Sequence, residues 1–346
     1  MTGAAGTTRF AGGIDLATRY MGLQLKNPLV ASASPLNADL DNVRRLEESG
    51  AAAIVLPSIF EEQIDAEVQR YEDMASINAE SFQEAQTFFP EYGLRDVGAG
   101  RYLDLVRRAV EAVDVPVIAS LNGATAHGWI GYARQVEEAG AKGLELNVYF
   151  IPTDLSLTGQ AVEQRYLDIV RAVRAAVTIP VAVKLSPYFS ALGNLAMELD
   201  RAGADALVLF NRFYQPDIDL VQLRILNDLE LSERNEIRLP LLWVAVLSGH
   251  VSASLAASTG VQTSAEVLKY LLAGADVVMT TSALLRHGVR YVESLLAGVT
   301  SWLAARDFES LDHVRGMLSH RRIGATDVFE RANYMEILRG YRAGRR

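Results

Sequence analysis

The feature that most constrains the fold of this chain is a short pattern that occurs four times along it. In each copy an amphipathic stretch ends at a glycine and is followed at once by a run of apolar residues. The copies are LEESGAAAIVLP at Gly50, VEEAGAKGLELN at Gly140, LDRAGADALVLFN at Gly203 and LLAGADVVMTTS at Gly274. Glycine readily ends a helix, and a short apolar run fits a buried strand. The pattern therefore predicts a helix that leads into a buried strand, repeated along the chain.

A second pattern fills the gaps between these copies. Predicted helices over 102–113 and 166–177 lead through Pro116 and Pro180 into the apolar runs VPVIASLN and VAVKLS. Proline stops a helix and is tolerated where a strand begins. A further helix is predicted over 264–273, before the last strand. With NPLVASAS and ASLAAST added, eight strands are predicted, centred on Leu29, Ile54, Ile118, Leu144, Val183, Leu207, Leu255 and Val278.

Apolar strands that alternate with amphipathic helices indicate a parallel sheet covered on its outer face, and eight such strands indicate closure. We therefore predict an α/β fold, a (β/α)8 TIM barrel, as one domain over 1–346. An open doubly wound sheet is the alternative, and it is disfavoured because no G-x-G-x-x-G follows the first strand. The stretch 60–100 is predicted to be a lid-like loop or a helix over the barrel mouth. A C-terminal helical extension is predicted over 305–346.

Composition disfavours several classes of function. The formal net charge is -9, so a nucleic-acid or anionic membrane surface is not expected. The chain has no cysteine, which excludes a disulfide, an iron–sulfur cluster and a cysteine nucleophile within it. Its apolar stretches are too short to cross a bilayer and no signal peptide is recognised, so a cytoplasmic protein is expected. No spacing of histidines and carboxylates resembles a metal site, and no metal is predicted.

Small polar residues follow the seventh and eighth predicted strands. Ser258, Thr259 and Gly260 follow the seventh, and Thr281 and Ser282 follow the eighth. Loops at these places in a barrel often hold a phosphate, because backbone N–H groups, small hydroxyls and a closely approaching glycine suit a dianion. The alternative is that the hydroxyls only cap the following helices. Two such sequences on adjacent loops favour a phosphate site.

Lys184 lies within the apolar segment VAVKLSP, at a strand position that faces the barrel mouth. A buried lysine is costly unless it is paired or functional. Three interpretations stay open. The lysine is a Schiff-base nucleophile, a cation that stabilises negative charge on a cofactor ring, or the partner of Glu145 in an ion pair.

At these segments the chain resembles the dihydroorotate dehydrogenase family, and the resemblance runs over most of its length. KNPLVASAS is similar to the family's first-strand flavin segment, LELNVYF and LVLFN to its two asparagine segments, VAVKLSPYF to its lysine segment, and STGVQTSAEVLKYLLAGA to its glycine-rich turn. EYGLRDVGAGRYLDLV resembles its substrate loop and FESLDHVRGMLS its C-terminal helix. The resemblance implies FMN as the cofactor, with Lys184 beside the flavin ring. It implies a cofactor shell of Ser32, Ala33, Ser58, Asn122, Asn147, Lys184, Asn211, Ser232, Ser258, Thr259, Gly260, Thr281 and Ser282.

The chain departs from the family mainly on the substrate side. The family's catalytic base falls at Phe150, its lysine after the second strand at Pro57, and two substrate asparagines at Pro90 and Asp96. The glycine turn before the helix near residue 239 is replaced by LELSERNEI, where Ser232 would serve instead. We therefore expect FMN binding to be kept and orotate recognition to be altered.

Two residues near these departures are candidates for substrate chemistry. Tyr149 stands beside Phe150, and a phenol hydroxyl suits proton donation better than proton removal. Arg212 would clamp a substrate carboxylate, or it forms a surface ion pair with Asp217 or Asp219. The predicted catalytic residues are Tyr149, Lys184, Asn147 and Arg212.

The leading hypothesis is an FMN-dependent oxidoreductase that moves hydride between flavin and a CH–CH/C=C pair of a small, carboxylated substrate. The alternatives are a genuine dihydroorotate dehydrogenase of pyrimidine biosynthesis, a Lys184 Schiff-base or phosphate-binding barrel lyase, and a flavin-holding protein that passes electrons to a partner. The expected partners are a small-molecule substrate and a protein or soluble electron acceptor. A homo-oligomer, most simply a dimer, is expected, with no nucleic acid or membrane bound.

Overall fold

The computed structural model describes residues 13–60, 97–123, 126–212, 216–226 and 230–324. Most of the predicted lid-like loop, including Pro90 and Asp96, lies outside the described residues. So does the second half of the predicted C-terminal extension, from residue 325 onward.

The described chain contains an eight-stranded parallel barrel and two antiparallel hairpins. One hairpin precedes the barrel and joins β1 (Thr18–Tyr20) to β2 (Leu23–Leu25). The first six barrel strands are β3 (Leu29–Ala31), β4 (Ala53–Phe60), β5 (Val117–Asn122), β6 (Gly143–Asn147), β7 (Val181–Leu185) and β8 (Ala206–Leu209). The second hairpin consists of β9 (Asp217–Asp219) and β10 (Arg224–Leu226). The last two barrel strands are β11 (Ser254–Ala257) and β12 (Val277–Thr280).

The barrel closes because β12 pairs with β3, so that each barrel strand has two parallel neighbours. The eight predicted strand centres all lie within these eight strands, and the TIM-barrel prediction is confirmed. The repeated pattern is confirmed in its backbone as well. Gly50, Gly140, Gly203 and Gly274 have φ of +99°, +98°, +100° and +116°, values that favour glycine over residues with a Cβ.

Helices cover the outside of the barrel. The helix predicted over 264–273 has those bounds, whereas the two predicted to begin at residues 102 and 166 begin earlier. The second of these begins early because the Thr158 side chain caps it, accepting from the N–H of Ala161, and its first turn is polar. Apolar periodicity does not mark a polar first turn. The helices are Leu40–Glu48, Val97–Ala112, Ala126–Glu138, Gly159–Arg174, Leu192–Arg201, Arg238–Leu247, Ser264–Ala273, Ser282–His287, Tyr291–Ala304 and His320–Ile323.

The N-terminal hairpin closes the bottom of the barrel. Tyr20 and Met21 are buried and pack with inward-facing strand residues such as Ile118. The hairpin is also tied to the strands by hydrogen bonds, since the N–H of Met21 donates to Ser254 Oγ at 3.2 Å. With this end occupied, the strands' carboxyl ends form the opposite, open mouth. None of the helices within the described ranges is both long enough and apolar enough to traverse a bilayer.

Candidate active site

The carboxyl ends of the barrel strands surround a cavity of about 250 Å³. In a parallel barrel all these ends face one mouth, which is where functional side chains converge. Ten of the thirteen residues of the predicted cofactor shell line this cavity. They are Ser32, Ala33, Lys184, Asn211, Ser232, Ser258, Thr259, Gly260, Thr281 and Ser282.

The other three shell residues, Ser58, Asn122 and Asn147, lie on strands beside the cavity. Asn122 is next to Asn147 in the register of β5 and β6, and Asn147 is next to Lys184 in the register of β6 and β7. The side-chain oxygen of Asn147 accepts a hydrogen bond from the amide of Asn211 at 2.7 Å. Ser58 Oγ lies 2.7 Å from Ser120 Oγ. The fold therefore brings two amides and an ammonium into one row across three strands.

Ser232, Gly260 and Ser282 meet at one end of the cavity. The hydroxyl of Ser232 donates to Ser282 Oγ at 2.9 Å, and the N–H of Ser232 donates to the same oxygen at 3.1 Å. The N–H of Gly260 donates to Ser232 Oγ at 3.2 Å. The side chains of Gln262 and Arg286 donate hydrogen bonds to the Ser232 carbonyl at 2.8 and 3.0 Å. Three distant segments thus place small hydroxyls and backbone N–H groups together, the kinds of group that bind a phosphate, and here they donate to one another.

The backbone around Gly260 fits no larger residue. Its φ is +75°, and a Cβ there would lie 2.7 Å from the backbone nitrogen of Ile237 and 3.1 Å from the carbonyl oxygen of Glu233. Thr259 also has a positive φ, +79°, which is costly for a β-branched residue. Such strain is found most often at functional loops. The turn after β11 is therefore pressed against the segment that carries Ser232.

The helix-capping interpretation of these hydroxyls is wrong. The helix Ser264–Ala273 is capped by Thr263, which shares a reciprocal capping box with Glu266. Ser258 and Thr259 precede that cap and cannot serve as it. Thr281 stands at the N-cap position of the next helix, but its side chain makes no capping hydrogen bond.

Lys184 forms an ion pair with Glu145, as one of the three interpretations proposed. The Nζ and Oε1 atoms are 3.4 Å apart, and the Lys184 side chain also lines the cavity. The second oxygen of Glu145, Oε2, has no hydrogen-bond partner among the described residues. Desolvation, and then the charge of Glu145, raises the pKa of the buried Tyr20. The carboxylate therefore acts electrostatically on the barrel interior as well as on Lys184.

Three tyrosines that the sequence did not single out hold the ends of barrel strands. Tyr102 donates to a carbonyl in β5 at 3.1 Å, Tyr166 to the carbonyl directly after β6 at 2.7 Å, and Tyr270 to two carbonyls directly after β11 at 3.1 and 2.8 Å. Desolvation raises the pKa of all three, so they stay protonated donors. Their signal in the sequence is one tyrosine per helix on the apolar face, which core packing alone also explains.

Tyr149 and Phe150, which follow β6, are both half-buried. The N–H of Tyr149 donates to the Asn147 carbonyl at 2.9 Å, which turns the chain directly after the strand. The guanidinium of Arg165 lies 4.0 Å from the centre of the Phe150 ring. A stacked aromatic ring thus occupies the position at which the family's proton-accepting residue was expected.

Arg212 lines the cavity, and part of its guanidinium is already engaged. Its Nε lies 3.0 Å from Glu236 Oε1, and Nη1 donates to the carbonyl of Glu230. The predicted surface pair with Asp217 or Asp219 is wrong, because Glu236 is the partner. Charge patterns near Arg212 in the sequence could not reveal Glu236, because the fold brings this carboxylate close from a distant segment.

The family model that matches this chain and the relatives that resemble it point to the same family. A family model described as dihydroorotate dehydrogenase matches residues 15–303. A putative dihydroorotate dehydrogenase A (fumarate) of Aeropyrum pernix is 27% identical over 313 residues, covering 89% of this chain and 98% of the relative. A dihydroorotate dehydrogenase B (NAD(+)) catalytic subunit of Thermoplasma acidophilum is 24% identical over 315 residues, covering 88% and 98%. The NAD-dependent dihydropyrimidine dehydrogenase subunit PreA of Escherichia coli is 24% identical over 340 residues, covering 91% and 79%.

Proposed function

Because the chain belongs to the dihydroorotate dehydrogenase family and is an oxidoreductase acting on CH–CH groups, we propose that it binds FMN at the barrel mouth and acts on a small carboxylated substrate other than dihydroorotate. The observation that carries FMN binding is the pairing of two features in one cavity. The Ser232, Gly260 and Ser282 cluster stands at one end, and the buried ammonium of Lys184 lies on the wall.

The residues present fit this cofactor in their chemistry. Hydroxyl and N–H donors at the Ser282 end suit a phosphate dianion, and the backbone cradle at Gly260 has no room for a Cβ. Lys184 offers a positive charge within hydrogen-bonding reach of the cavity. Bound FMN supplies the exchange of a hydride with a substrate carbon.

Lys184 stabilises negative charge that develops in the cavity on two-electron reduction. An ammonium in a site from which water is excluded acts more strongly than one in bulk solvent. Glu145 holds this ammonium in place from the barrel interior.

Asn147 and Asn211 orient the substrate. Their mutual hydrogen bond uses the oxygen of Asn147 and the amide nitrogen of Asn211. The Asn147 amide nitrogen and the Asn211 oxygen therefore remain as one donor and one acceptor for a ligand. Arg212 keeps Nη2, since the described contacts engage only Nε and Nη1, and Nη2 is free to contact a substrate carboxylate.

Tyr149 transfers the proton. In the direction of C=C reduction, one alkene carbon receives the hydride and the Tyr149 hydroxyl protonates the other. In the reverse direction Tyr149 would have to accept the proton as a phenolate, since Phe150 cannot act as a base. Reduction of an activated C=C bond is therefore the direction that these side chains favour.

Two other functions are less well supported. Genuine dihydroorotate oxidation is not favoured, since Phe150 is stacked under Arg165 where the family base falls. A Schiff-base lyase is not favoured, since Lys184 is paired with Glu145 and the family is one of oxidoreductases. Borohydride in the presence of a carbonyl substrate would trap the lyase and leave the oxidoreductase unlabelled.

The relatives' names point to different electron acceptors. One is named with fumarate, and others are named as subunits of NAD-dependent enzymes. We propose that this chain exchanges electrons with a partner protein or a soluble acceptor, and that the chain self-associates as a dimer. Reoxidation of the reduced protein by fumarate, by NAD(+) or by neither separates the acceptors, and light scattering gives the oligomeric state.

The first experiment is a flavin assay on the purified chain. We expect yellow protein with flavin absorbance and, after heat release, FMN as the chromophore. A substrate screen then compares dihydroorotate with other unsaturated carboxylates in both directions. Protein that is colourless and takes up no added FMN would rule out the proposed cofactor, and robust turnover of dihydroorotate would rule out the proposed change of substrate.

A further inference from the structure

A second and larger cavity, of about 1100 Å³, opens at the N-terminal end of the barrel. Its walls come from the β1–β2 turn at Gly22, the chain just before β8 and around the start of β11, and the segment 315–322. It shares no lining residue with the cavity at the mouth. The two cavities are therefore separate sites at opposite ends of the barrel.

The charge of this lower cavity differs from that of the whole chain. The chain carries a formal net charge of -9, yet arginines outnumber carboxylates on the cavity wall. The arginines are Arg19, Arg174, Arg315, Arg321 and Arg322, and the carboxylates are Asp200, Asp205 and Asp276.

The three aspartates are already used by the fold. Asp200 accepts two N–H groups just before β11 at 2.9 and 2.8 Å, Asp205 accepts one from the start of β7 at 2.8 Å, and Asp276 accepts one from β11 at 2.8 Å. Asp205 and Asp276 also lie 3.6 and 3.2 Å from Arg174 and Arg315. These carboxylates therefore neutralise two of the arginines and tie strand starts together.

Three arginines remain without a carboxylate partner among the described residues. Arg321 and Arg322 each donate to a backbone carbonyl, at 3.1 and 3.3 Å, and the Arg19 side chain is exposed, with no ion pair to a carboxylate among the described residues. A bond to one carbonyl fixes a guanidinium and leaves most of its donors free. The wall thus presents three exposed guanidinium groups whose remaining N–H donors are available to a ligand.

A buried hydroxyl faces the same space. Ser319 is 2% exposed and lines the cavity, and its hydroxyl makes no capping hydrogen bond to the helix that follows it. A Cβ placed on Gly316 would lie 3.7 Å from this oxygen and 3.5 Å from Ser248 Oγ, so glycine backbone and hydroxyls form the floor. Hydroxyls on this floor are donors that an anion held by the arginines can contact.

We propose that this cavity binds a small ligand with a chain of phosphate groups, such as a polyphosphate or the phosphate tail of a nucleotide. Guanidinium groups match phosphate oxygens in pairs, and the available volume exceeds that of a single phosphate. No aromatic side chain stands among the described residues that line it, so the phosphate chain and not a base is recognised. A surface cleft near the helix Leu40–Glu48 provides a contrast, since its three arginines face three aspartates.

The test is calorimetric titration of the full-length, FMN-loaded protein with sodium tripolyphosphate at low salt, followed by the same titration at higher NaCl. We expect one site per chain, a rise in Tm on binding, and weaker binding as salt increases. Arg19→Gln and Arg321→Gln are each expected to weaken binding by about tenfold, as loss of a charged hydrogen bond does. Arg108→Gln, at an exposed arginine paired with Asp104, is the matched control and should bind as the parent does.

Further titrations identify the source of the phosphate chain and exclude binding at the cavity of the barrel mouth. Equal binding of ATP and tripolyphosphate supports recognition of the chain alone, and tighter ATP binding that is still lost in Arg19→Gln supports a nucleotide. The proposal would be overturned if tripolyphosphate does not bind, or if it binds by displacing FMN. It would also be overturned if both arginine variants bind as the parent does and keep the parental Tm, or if RNA displaces the triphosphate.

Discussion

Lys184 Nζ lies 3.4 Å from Glu145 Oε1, and the two side chains are 9% and 1% exposed. The pair joins adjacent strands, β7 and β6, and it places a cation on the wall of the cavity with its counter-charge in the barrel interior. Taking two charges out of water is costly, so each depends on the other. The first prediction follows from this dependence.

Lys184→Met is expected to lower the free energy of unfolding by about 3 kcal/mol, because it leaves the buried Glu145 carboxylate uncompensated. Adding Glu145→Gln in the same chain should restore much of the loss. Urea unfolding of the flavin-free protein measures both. Lys142→Met, at an exposed lysine one residue before β6, is the control. An equal loss of unfolding free energy in Lys184→Met and Lys142→Met would contradict the expected role of the pair.

Gly260→Ala is expected to abolish retention of FMN and to lower Tm, since the added Cβ would lie 2.7 Å from a backbone nitrogen of the Ser232 segment. Gly288→Ala is the matched control, with a φ of +84° and no heavy atom within 4 Å of the new Cβ. Both variants carry the strain of a positive φ, so a difference between them reports the crowding at Gly260. Flavin bound per chain after gel filtration is the measurement, and equal flavin content in the two variants would refute crowding as the cause.

Tyr149→Phe is expected to lower kcat for C=C reduction by about 100-fold, because a general acid contributes on the order of that factor or more. Flavin content should stay at the parental level, since Tyr149 does not line the cofactor cavity. Steady-state kinetics with the substrate found in the screen gives the result. A fall in FMN content, or a kcat within twofold of the parent, would remove Tyr149 as the acid.

The pH dependence of stability is predicted from Glu137. The hydroxyl of Thr178, and the N–H groups of Thr178 and Ile179 at 2.9 and 3.1 Å, hold the pKa of Glu137 below its usual value. A lowered folded-state pKa gives stability that is present above the unfolded pKa, about 4.3, and is lost as pH falls below it. Glu137→Gln should therefore flatten the fall of Tm between pH 5 and about pH 3. Glu138→Gln, at the exposed neighbour, should leave the slope unchanged, and equal slopes in both variants would count against the prediction.

Much of the barrel could be predicted because its signals are local. A helix that ends at glycine and leads into a short apolar strand is encoded within about a dozen residues, and each such unit folds in a similar way wherever it occurs. The start of the helix Gly159–Arg174 was missed for the converse reason, since a polar first turn held by the Thr158 cap carries no apolar period.

The candidate site could be predicted only in part. Strand-end residues such as Lys184 and Asn147 were found because every strand end points to the mouth. The partner of Arg212 was missed because Glu236 reaches it through the fold. The alternative in which Thr281 only caps the next helix was wrong, since its side chain makes no capping hydrogen bond.

By itself, the sequence determined the order and number of the barrel strands and the residues that stand at their ends, because periodicity, glycine and proline act over short distances. Only the tertiary structure decided which of those residues meet. Ser232, Gly260 and Ser282 come together, and Glu145 reaches Lys184, because the barrel closes and brings segments far apart in the chain to hydrogen-bonding distance. The same closure gathers at the opposite end the three arginines that have no carboxylate partner among the described residues, which no local pattern encodes.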